Sequence, residues 1–190
     1  MNKSIEEKIE SKIHSNTEPK DEASERYHLV ETDEYDRLVT FFVTNELEFD
    51  GDEEVDTDIV RCYKIEQESE SDADANAKSN ANAGSSDDGQ HGLIGAAVLA
   101  KREGRYICDG IAVNPDYRGE GIGELLLRRL LGDVKELGGD GLYLVARAPG
   151  FFRTQGFQTI DPEDAPNFFE CKYCPQYQKT CWPEIMKYSL

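Results

Sequence analysis

The stretch "IAVNPDYRGEGIGELLLRRLL", residues 111–131, decides how this chain folds. It begins with apolar residues typical of a buried strand and ends with leucines at helical spacing. Between them Gly119, Gly121 and Gly123 alternate, and glycines at the start of a helix let the backbone approach a neighbour closely. The stretch therefore predicts a strand, a tight glycine loop and a helix.

The glycine loop has the chemistry of an anion-binding site. The N–H groups in the first turn of a helix have no partner within the helix, and they lie at the positive end of its dipole. Arg118 adds a cation just before the loop. The spacing is neither the G-x-G-x-x-G of dinucleotide-binding folds nor a P-loop. Two interpretations stay open, a site for a phosphate-bearing ligand and a tight turn that holds none.

The flanking segments predict a mixed α/β fold. Alternating or continuous apolar runs favour antiparallel strands before the stretch, and a strand–helix–strand unit follows from it. Leu38, Phe41, Phe42 and Leu47 share one face of a helix that Thr32 or Asp33 would cap. The remaining predicted elements are strands at 27–31, 59–67, 93–104, 105–113, 141–147 and 156–160, and a short helix at 149–155.

Charge is distributed unevenly over the 190 residues, whose formal net charge is −18. Residues 1–91 carry 26 acidic and 9 basic side chains, whereas residues 92–190 carry 13 and 12. No basic stripe could neutralise a phosphodiester backbone, so we expect no nucleic-acid partner. No apolar run is long enough to span a membrane, and the N-terminal residues lack the apolar core of a signal peptide. Together with an odd count of five cysteines, this predicts a cytoplasmic protein.

Composition predicts one domain with two tails. Residues 1–26 are polar and charged, and we expect a frayed helix or a disordered tail. The domain spans 27–170. Within it, residues 68–92 are a low-complexity run of Ser, Asp, Asn, Ala and Gly, which predicts a disordered insertion in a hairpin. Residues 171–190 form a cysteine-containing C-terminal tail.

The glycine stretch resembles the acetyl-CoA signature of the GNAT N-acetyltransferase superfamily, Arg/Gln-x-x-Gly-x-Gly/Ala after a strand. Arg118, Gly121 and Gly123 fill its fixed places. "LYLVARAPGFFRTQGF", residues 142–157, resembles the next block of that family, a strand, a short helix and Gly-Phe. The resemblance implies a mostly antiparallel mixed sheet, flanked by helices, with a splayed pair of central strands.

The resemblance also implies roles for individual residues. A primary amine would attack the acetyl thioester of acetyl-CoA directly, and an amine with a pKa near 10.4 needs a base or a water chain to become neutral. Asp109 is the candidate base, and the alternative that it only pairs locally stays open. Pantetheine would pair with the backbone of Ile111, Ala112 and Val113. The pyrophosphate would bind the N–H groups of Arg118, Gly119, Glu120, Gly121, Ile122 and Gly123.

The short helix departs from the family pattern. Many relatives carry a Phe-Tyr pair there, whose hydroxyl protonates the leaving thiolate, whereas this chain has Phe151 and Phe152. A thiol of pKa near 8.5 hardly needs a proton at neutral pH, so this departure is compatible with activity. Tyr143, Cys108 or no acid at all could serve. We expect the phenylalanine pair to pack against the core and the bound cofactor.

The C-terminal tail is similar to the end of short bacterial-type N-acetylglutamate synthases, which share its Cys-x-x-Cys-Pro and Glu-Ile. Cys171, Cys174 and Cys181 have the spacing C-x2-C-x6-C, one thiol short of a closed zinc site, and metal ligands and free thiols both stay open. An amino-acid substrate would need guanidinium partners for its carboxylates. Arg147 is the candidate, while Arg37 is better explained as a structural charge.

These features predict an acetyl-CoA-dependent N-acetyltransferase acting on the primary amine of a small metabolite, such as the amino acid glutamate. Two alternatives stay open. The chain could hold acetyl-CoA as a sensor or partner subunit without turnover, or it could acetylate lysines of proteins. Folds of this family often form homodimers, which we therefore also expect.

Overall fold

The structure, a computed structural model, describes residues 22–47, 56–67, 92–166 and 175–190. Within these ranges seven strands form one sheet in the order β1-β2-β3-β4-β5-β7-β6. The strands are β1 (Leu29–Thr32), β2 (Asp58–Glu66), β3 (Leu93–Arg102), β4 (Arg105–Val113), β5 (Gly141–Ala146), β6 (Gln158–Thr159) and β7 (Glu184–Ser189). The helices are α1 (Glu22–Arg26), α2 (Tyr35–Thr44), α3 (Ile122–Glu136) and α4 (Pro149–Thr154).

The sheet is antiparallel except for β4 and β5, which run parallel and are connected by α3. Strand β3 is its most buried member, with every residue from Leu93 to Ala100 inside, because helices cover both faces. On one face α3 buries Leu126, Leu127 and Leu130, and α4 extends the same apolar cluster. On the other face α2 buries its own cluster. The predicted mixed α/β class is confirmed.

Most predicted elements lie where the pattern placed them. The apolar face of α2 is confirmed, with Leu38 and Phe42 fully buried and Leu47 packed at the edge. The predicted cap is wrong: the helix begins after Glu34, which makes no capping hydrogen bond through its side chain. Thr32 instead accepts a hydrogen bond from the Glu34 N–H at 3.2 Å, within the turn that precedes the helix.

The sheet extends beyond residue 170. We predicted no strand among residues 171–190, yet β7 pairs with β5 over six residues, from Gly141 opposite Ser189 to Ala146 opposite Glu184. Its other edge pairs with β6. The short run "EIMKYS" lacks strict alternation, because both Ile185 and Met186 are buried, so its pattern alone does not indicate a strand.

Several predictions concern residues outside the described ranges. Helix α1 lies within the predicted tail 1–26, whereas residues 1–21 are outside the described residues. Residues 68–91 of the low-complexity run 68–92 are outside them as well, and the strands that flank the run form the predicted hairpin, with Glu66 opposite Leu93. No helix in the described part of the chain is long and apolar enough to cross a membrane.

A buried polar network ties α3 to β2. The Asp133 carboxylate is 2.6 Å from Arg61, accepts a hydrogen bond from the Tyr63 hydroxyl at 2.7 Å and lies 3.2 Å from Arg129. The Arg129 Nε also donates to the Tyr63 hydroxyl, at 3.0 Å. Asp133 is the one charged residue among the described residues that is buried as a whole, and its oxygens are satisfied on several sides.

Candidate active site

The site begins where β4 and β5 separate. These parallel strands pair only at Tyr106 with Leu142 and at Ile107 with Tyr143. Beyond Ile107, β4 stays paired with β3 as far as Val113, and β5 stays paired with β7 as far as Ala146. The two strands thus diverge into a V-shaped opening. Within the described residues, the edge of β4 that faces this opening has no strand partner beyond Ile107. The predicted splayed pair of central strands is confirmed.

A β-bulge lies at the point of separation. Val98 of β3 faces Gly110, and the next residue, Leu99, faces Cys108, so Asp109 is the extra residue on β4. A bulge bends its strand, increases the local twist and re-aims the side chain that it carries. This accounts both for the divergence of β4 from β5 and for the turn of Asp109 toward the opening.

A cavity of about 750 Å³ fills the V and continues to the start of α3. Leu144 and Val145 of β5 form one wall, and Phe151 and Phe152 of α4 form another. The lining includes every site residue predicted from the sequence except Glu120. These residues are Asp109, Ile111, Ala112, Val113, Arg118, Gly119, Gly121, Ile122, Gly123 and Arg147.

The glycine loop brings uncapped N–H groups to this cavity. Gly119 and Gly121 have φ angles of 86° and 81°, which side chains other than glycine rarely adopt. Gly121 is the N-cap of α3 and has no side chain to accept the first-turn hydrogen bonds. The N–H groups of residues 119–124 make no hydrogen bond to an acceptor in the described ranges. Arg118 is directed back along the loop and donates from Nε to the Val113 carbonyl at 3.2 Å.

Asp109 lies in a buried charge cluster. Its side chain is 8% exposed; one oxygen lies 3.2 Å from the Arg102 guanidinium, and the other accepts a long hydrogen bond from the Tyr35 hydroxyl at 3.4 Å. Burial raises the pKa of the Asp109 carboxyl, although Arg102 and Tyr35 both act to lower it. Burial and the adjacent carboxylate raise the pKa of Tyr35 to about 12. Asp109 is therefore paired locally and also lines the cavity.

Arg102 and Tyr35 were missed by the sequence analysis. Arg102 ends β3 and also donates from Nε to Thr57 at 2.7 Å, while Tyr35 begins α2. Neither lies in a motif, and only the pairing of β3 with β4 and the packing of α2 bring them to Asp109. A lone arginine at the end of a hairpin strand gives no signal by which the sequence could have identified it.

The two candidate arginines have different environments. Arg147 follows β5, lines the cavity and keeps 41% of its side chain exposed, with Glu46 4.0 Å away. Arg37 forms ion pairs with Glu66 at 2.7 Å and Glu34 at 3.3 Å on the outer part of the sheet. Arg147 thus borders the cavity, whereas Arg37 is engaged in ion pairs with Glu34 and Glu66.

Phe151 and Phe152 pack against the main core cluster, as expected. Phe152 is buried and meets Phe151 edge-on at 5.0 Å and Phe157 at 5.7 Å between ring centroids. Among the alternative acids, Tyr143 does not line the cavity; it is buried with Ile107 and Ile185 on the face of the sheet opposite α3. Cys108 does line it, and burial raises the pKa of its thiol.

The cysteine prediction rests mainly on residues beyond the described ranges. Cys171 and Cys174 are outside them, and Cys181 is a half-buried free thiol beside the start of β7. Cys62 and Cys108 are buried within β2 and β4, on opposite faces of the sheet.

Comparison with known proteins identifies the class. Residues 85–159 match the family model of the acetyltransferase (GNAT) domain, a range that includes β3, β4, the glycine loop, α3, β5 and α4. The match covers less than half of the chain, and the sheet around it has the GNAT fold.

Individual relatives are more distant. The amino-acid acetyltransferase of Edwardsiella ictaluri is 32% identical over 80 residues, which is 42% of this chain and 17% of that protein's length. A GNAT-family acetyltransferase from Staphylococcus aureus Mu50 matches with a TM-score of 0.55 at 17% identity, over 86% of this chain and 99% of the other. N-acetylglutamate synthase from Neisseria gonorrhoeae, solved with coenzyme A and L-arginine, matches with the same score and identity over 86% and 33%.

Proposed function

We propose that this chain transfers the acetyl group of acetyl-CoA to the primary amine of a small metabolite, such as an amino acid. The observation that carries the proposal is the opening between β4 and β5, which leads without interruption to the uncapped start of α3. An extended ligand with amide groups can pair with an open strand edge, and a phosphate is attracted to a helix N-terminus. Pantetheine and pyrophosphate have this chemistry in this order along coenzyme A.

In the proposed reaction, Ile111, Ala112 and Val113 hold the pantetheine arm, and the N–H groups of residues 118–123 hold the pyrophosphate. The neutral amine attacks the acetyl carbonyl carbon, a C–N bond forms, and the C–S bond breaks with departure of the thiolate. Asp109, directly or through water, accepts the proton that the amine loses. Its position on the bulge supports this role because it lies at the inner end of the V.

Arg147 supports an acceptor that carries a carboxylate. Its guanidinium lines the cavity and remains partly exposed, and guanidinium groups bind carboxylates with two parallel hydrogen bonds. The amino-acid acetyltransferase relative points to the same class of acceptor, although it matches this chain over less than half of the chain's length. We retain a cytoplasmic location and a homodimer as further proposals.

The proposal is tested by incubating the purified chain with acetyl-CoA and a panel of amines while measuring release of free thiol. The panel includes glutamate, other amino acids, polyamines and lysine peptides. Release that depends on one class of amine is the expected result. Saturable binding of acetyl-CoA without release from any amine would instead favour a sensor, and absence of binding would overturn both.

Asp109→Asn separates an enzyme from a sensor. The amide still accepts a hydrogen bond from Arg102 but does not take a proton, so we expect turnover to fall by about 10²–10⁴-fold. The affinity for acetyl-CoA should change less than threefold. Asp140→Asn, at an exposed carboxylate 3.6 Å from Lys187, is the matched control. Equal turnover in the two variants would exclude Asp109 as the base.

A further inference from the structure

The N-terminal helix contacts the glycine loop through one acidic side chain. Glu120 is the loop residue that does not line the cavity, because its carboxylate is directed toward α1. There it lies 2.7 Å from the Arg26 guanidinium and accepts a hydrogen bond from the Tyr27 hydroxyl on the same oxygen. We call Arg26, Tyr27 and Glu120 the loop clamp.

The backbone of the loop also fits against α1. A Cβ atom on Gly121 would lie 3.0 Å from the Cβ of Ala23, which is buried. Tyr27 is anchored as well, since its N–H donates to the Ala23 carbonyl at 2.8 Å and its ring packs against the main core cluster. Helix α1 is thus seated on the loop from the side away from the cavity.

The charges of the loop clamp affect how the loop binds a phosphate. A carboxylate in a phosphate-binding loop repels the ligand, whereas a carboxylate paired with a guanidinium does so much less. The two glycines with positive φ lie on either side of Glu120, and the Glu120 carboxylate joins the loop to Arg26 of α1. The clamp therefore neutralises the carboxylate and also fixes the loop that carries the N–H donors.

We infer that Arg26 and Tyr27 are positioning residues for the pyrophosphate of coenzyme A, acting through Glu120. The inference rests on the proposed function, and it assigns a role in cofactor binding to a helix that the sequence placed in a tail. Neither residue takes part in the chemistry of acetyl transfer. Their loss should weaken binding of a thioester that carries the pyrophosphate and should spare one that lacks it.

The test compares Arg26→Ala, Tyr27→Phe and Arg26→Lys with Glu22→Gln, an exposed site at the other end of α1. The Kd for coenzyme A is measured by calorimetry, and kinetic constants are measured with acetyl-CoA and with S-acetylpantetheine, which has no phosphate. For the first two variants we expect the Kd and the KM for acetyl-CoA to rise about three- to fivefold, as for loss of a charged hydrogen bond in a pair whose arginine is 69% exposed. We expect kcat with acetyl-CoA and kcat/KM with S-acetylpantetheine both to be unchanged.

Arg26→Lys keeps the positive charge and should restore a Kd within twofold of the wild type. A purely structural role for the clamp would lower kcat/KM for both thioesters equally, which overturns the inference. A Kd for coenzyme A in Arg26→Ala and Tyr27→Phe equal to that of Glu22→Gln also overturns it, while leaving the proposed function intact. If the wild type fails to bind coenzyme A, the proposed function fails and the inference fails with it.

Discussion

Gly123 is a residue of α3 that borders the proposed ligand site. It lies in the first turn of α3 and lines the cavity, and its backbone has an ordinary helical conformation. A Cβ atom there would lie 3.3 Å from the edge of the Phe151 ring, on the cavity wall. Gly121 is a less informative site, since its φ of 81° and its contact with Ala23 would strain the loop of the free protein as well.

Gly123→Ala should therefore weaken the binding of coenzyme A while the protein remains folded. Alanine favours a helix over glycine by about 0.5–1 kcal/mol, which offsets a small shift of Phe151. We expect the Kd to rise about tenfold, the equivalent of about 1.4 kcal/mol. Calorimetry with coenzyme A measures it. Gly132→Ala is the matched control in the same helix, where a Cβ atom meets no described atom within 4 Å. Equal affinities in the two variants would contradict the proposed phosphate site.

Arg102 should control the pH at which Asp109 becomes a base. Burial raises the pKa of the carboxyl, and the guanidinium 3.2 Å away opposes that rise. Without the cation the pKa rises further, so the base stays protonated to a higher pH. The low-pH limb of kcat/KM should move upward in Arg102→Met and return toward the wild type in Arg102→Lys.

The measurement is kcat/KM as a function of pH with a single amine substrate. Ionisation of that amine contributes equally to the profile of every variant. Arg105→Met, across the same hairpin from Arg102, is the control, because its guanidinium instead donates to the Asp164 carbonyl. A limb that stays in place when Arg102 is replaced, or that moves equally in the control, would show that Asp109 is not the group that titrates.

At the scale of the elements, α3 has two separate tasks. Its first turn supplies N–H donors to the cavity, and its last turns are fixed to β2 by the Asp133 network. Because helix and sheet meet at both ends of α3, the glycine loop has a defined position relative to the opening between β4 and β5.

Asp133→Ala should destabilise the protein by about 3–5 kcal/mol, since it leaves Arg61 and the Tyr63 hydroxyl without their shared partner inside the fold. Urea unfolding followed by circular dichroism measures the change. Glu136→Ala is the matched control, because its exposed carboxylate lies 3.4 Å from the same arginine, and exposed pairs contribute about 0–1 kcal/mol. A loss below about 1 kcal/mol in Asp133→Ala would show that the network adds little to stability.

At the scale of the whole molecule, the acidic first half of the sequence divides into segments with different tasks. Strands β1 and β2 and helix α2 belong to the sheet and its second core, and α2 also supplies Tyr35 to Asp109. The low-complexity run enters and leaves the sheet at one hairpin, where the Gln67 N–H donates to the Gly92 carbonyl at 2.7 Å. The paired strands therefore do not need a long connection.

Replacing residues 68–91 by Asn-Gly should leave the fold and the binding of coenzyme A unchanged. A shorter closed loop costs less entropy, by about 0.6 kcal/mol for each halving of its length, so stability should hold or rise by about 2 kcal/mol at most. Urea unfolding and calorimetry with coenzyme A measure the two quantities. Loss of affinity in a variant with unchanged stability would reveal a binding role for the insertion, contrary to its prediction as disordered.

The sequence by itself determined the elements whose signals are local. Leucine periodicity specified α3, apolar runs specified β2 to β5, and the spacing of Arg118, Gly121 and Gly123 indicated the proposed phosphate loop. Each of these depends on side chains close together along the chain, whose burial or backbone freedom follows from residue type.

Only the tertiary structure decided the features that depend on residues far apart in sequence. The short strand β7 obtains its partners by inserting between β5 and β6, the bulge at Asp109 exists only relative to β3, and Arg102 reaches Asp109 because the two strands pair. The contact of Arg26 and Tyr27 with Glu120 joins segments more than 90 positions apart. Local propensity contains no information about such partners, because their energy arises only when packing brings the segments together.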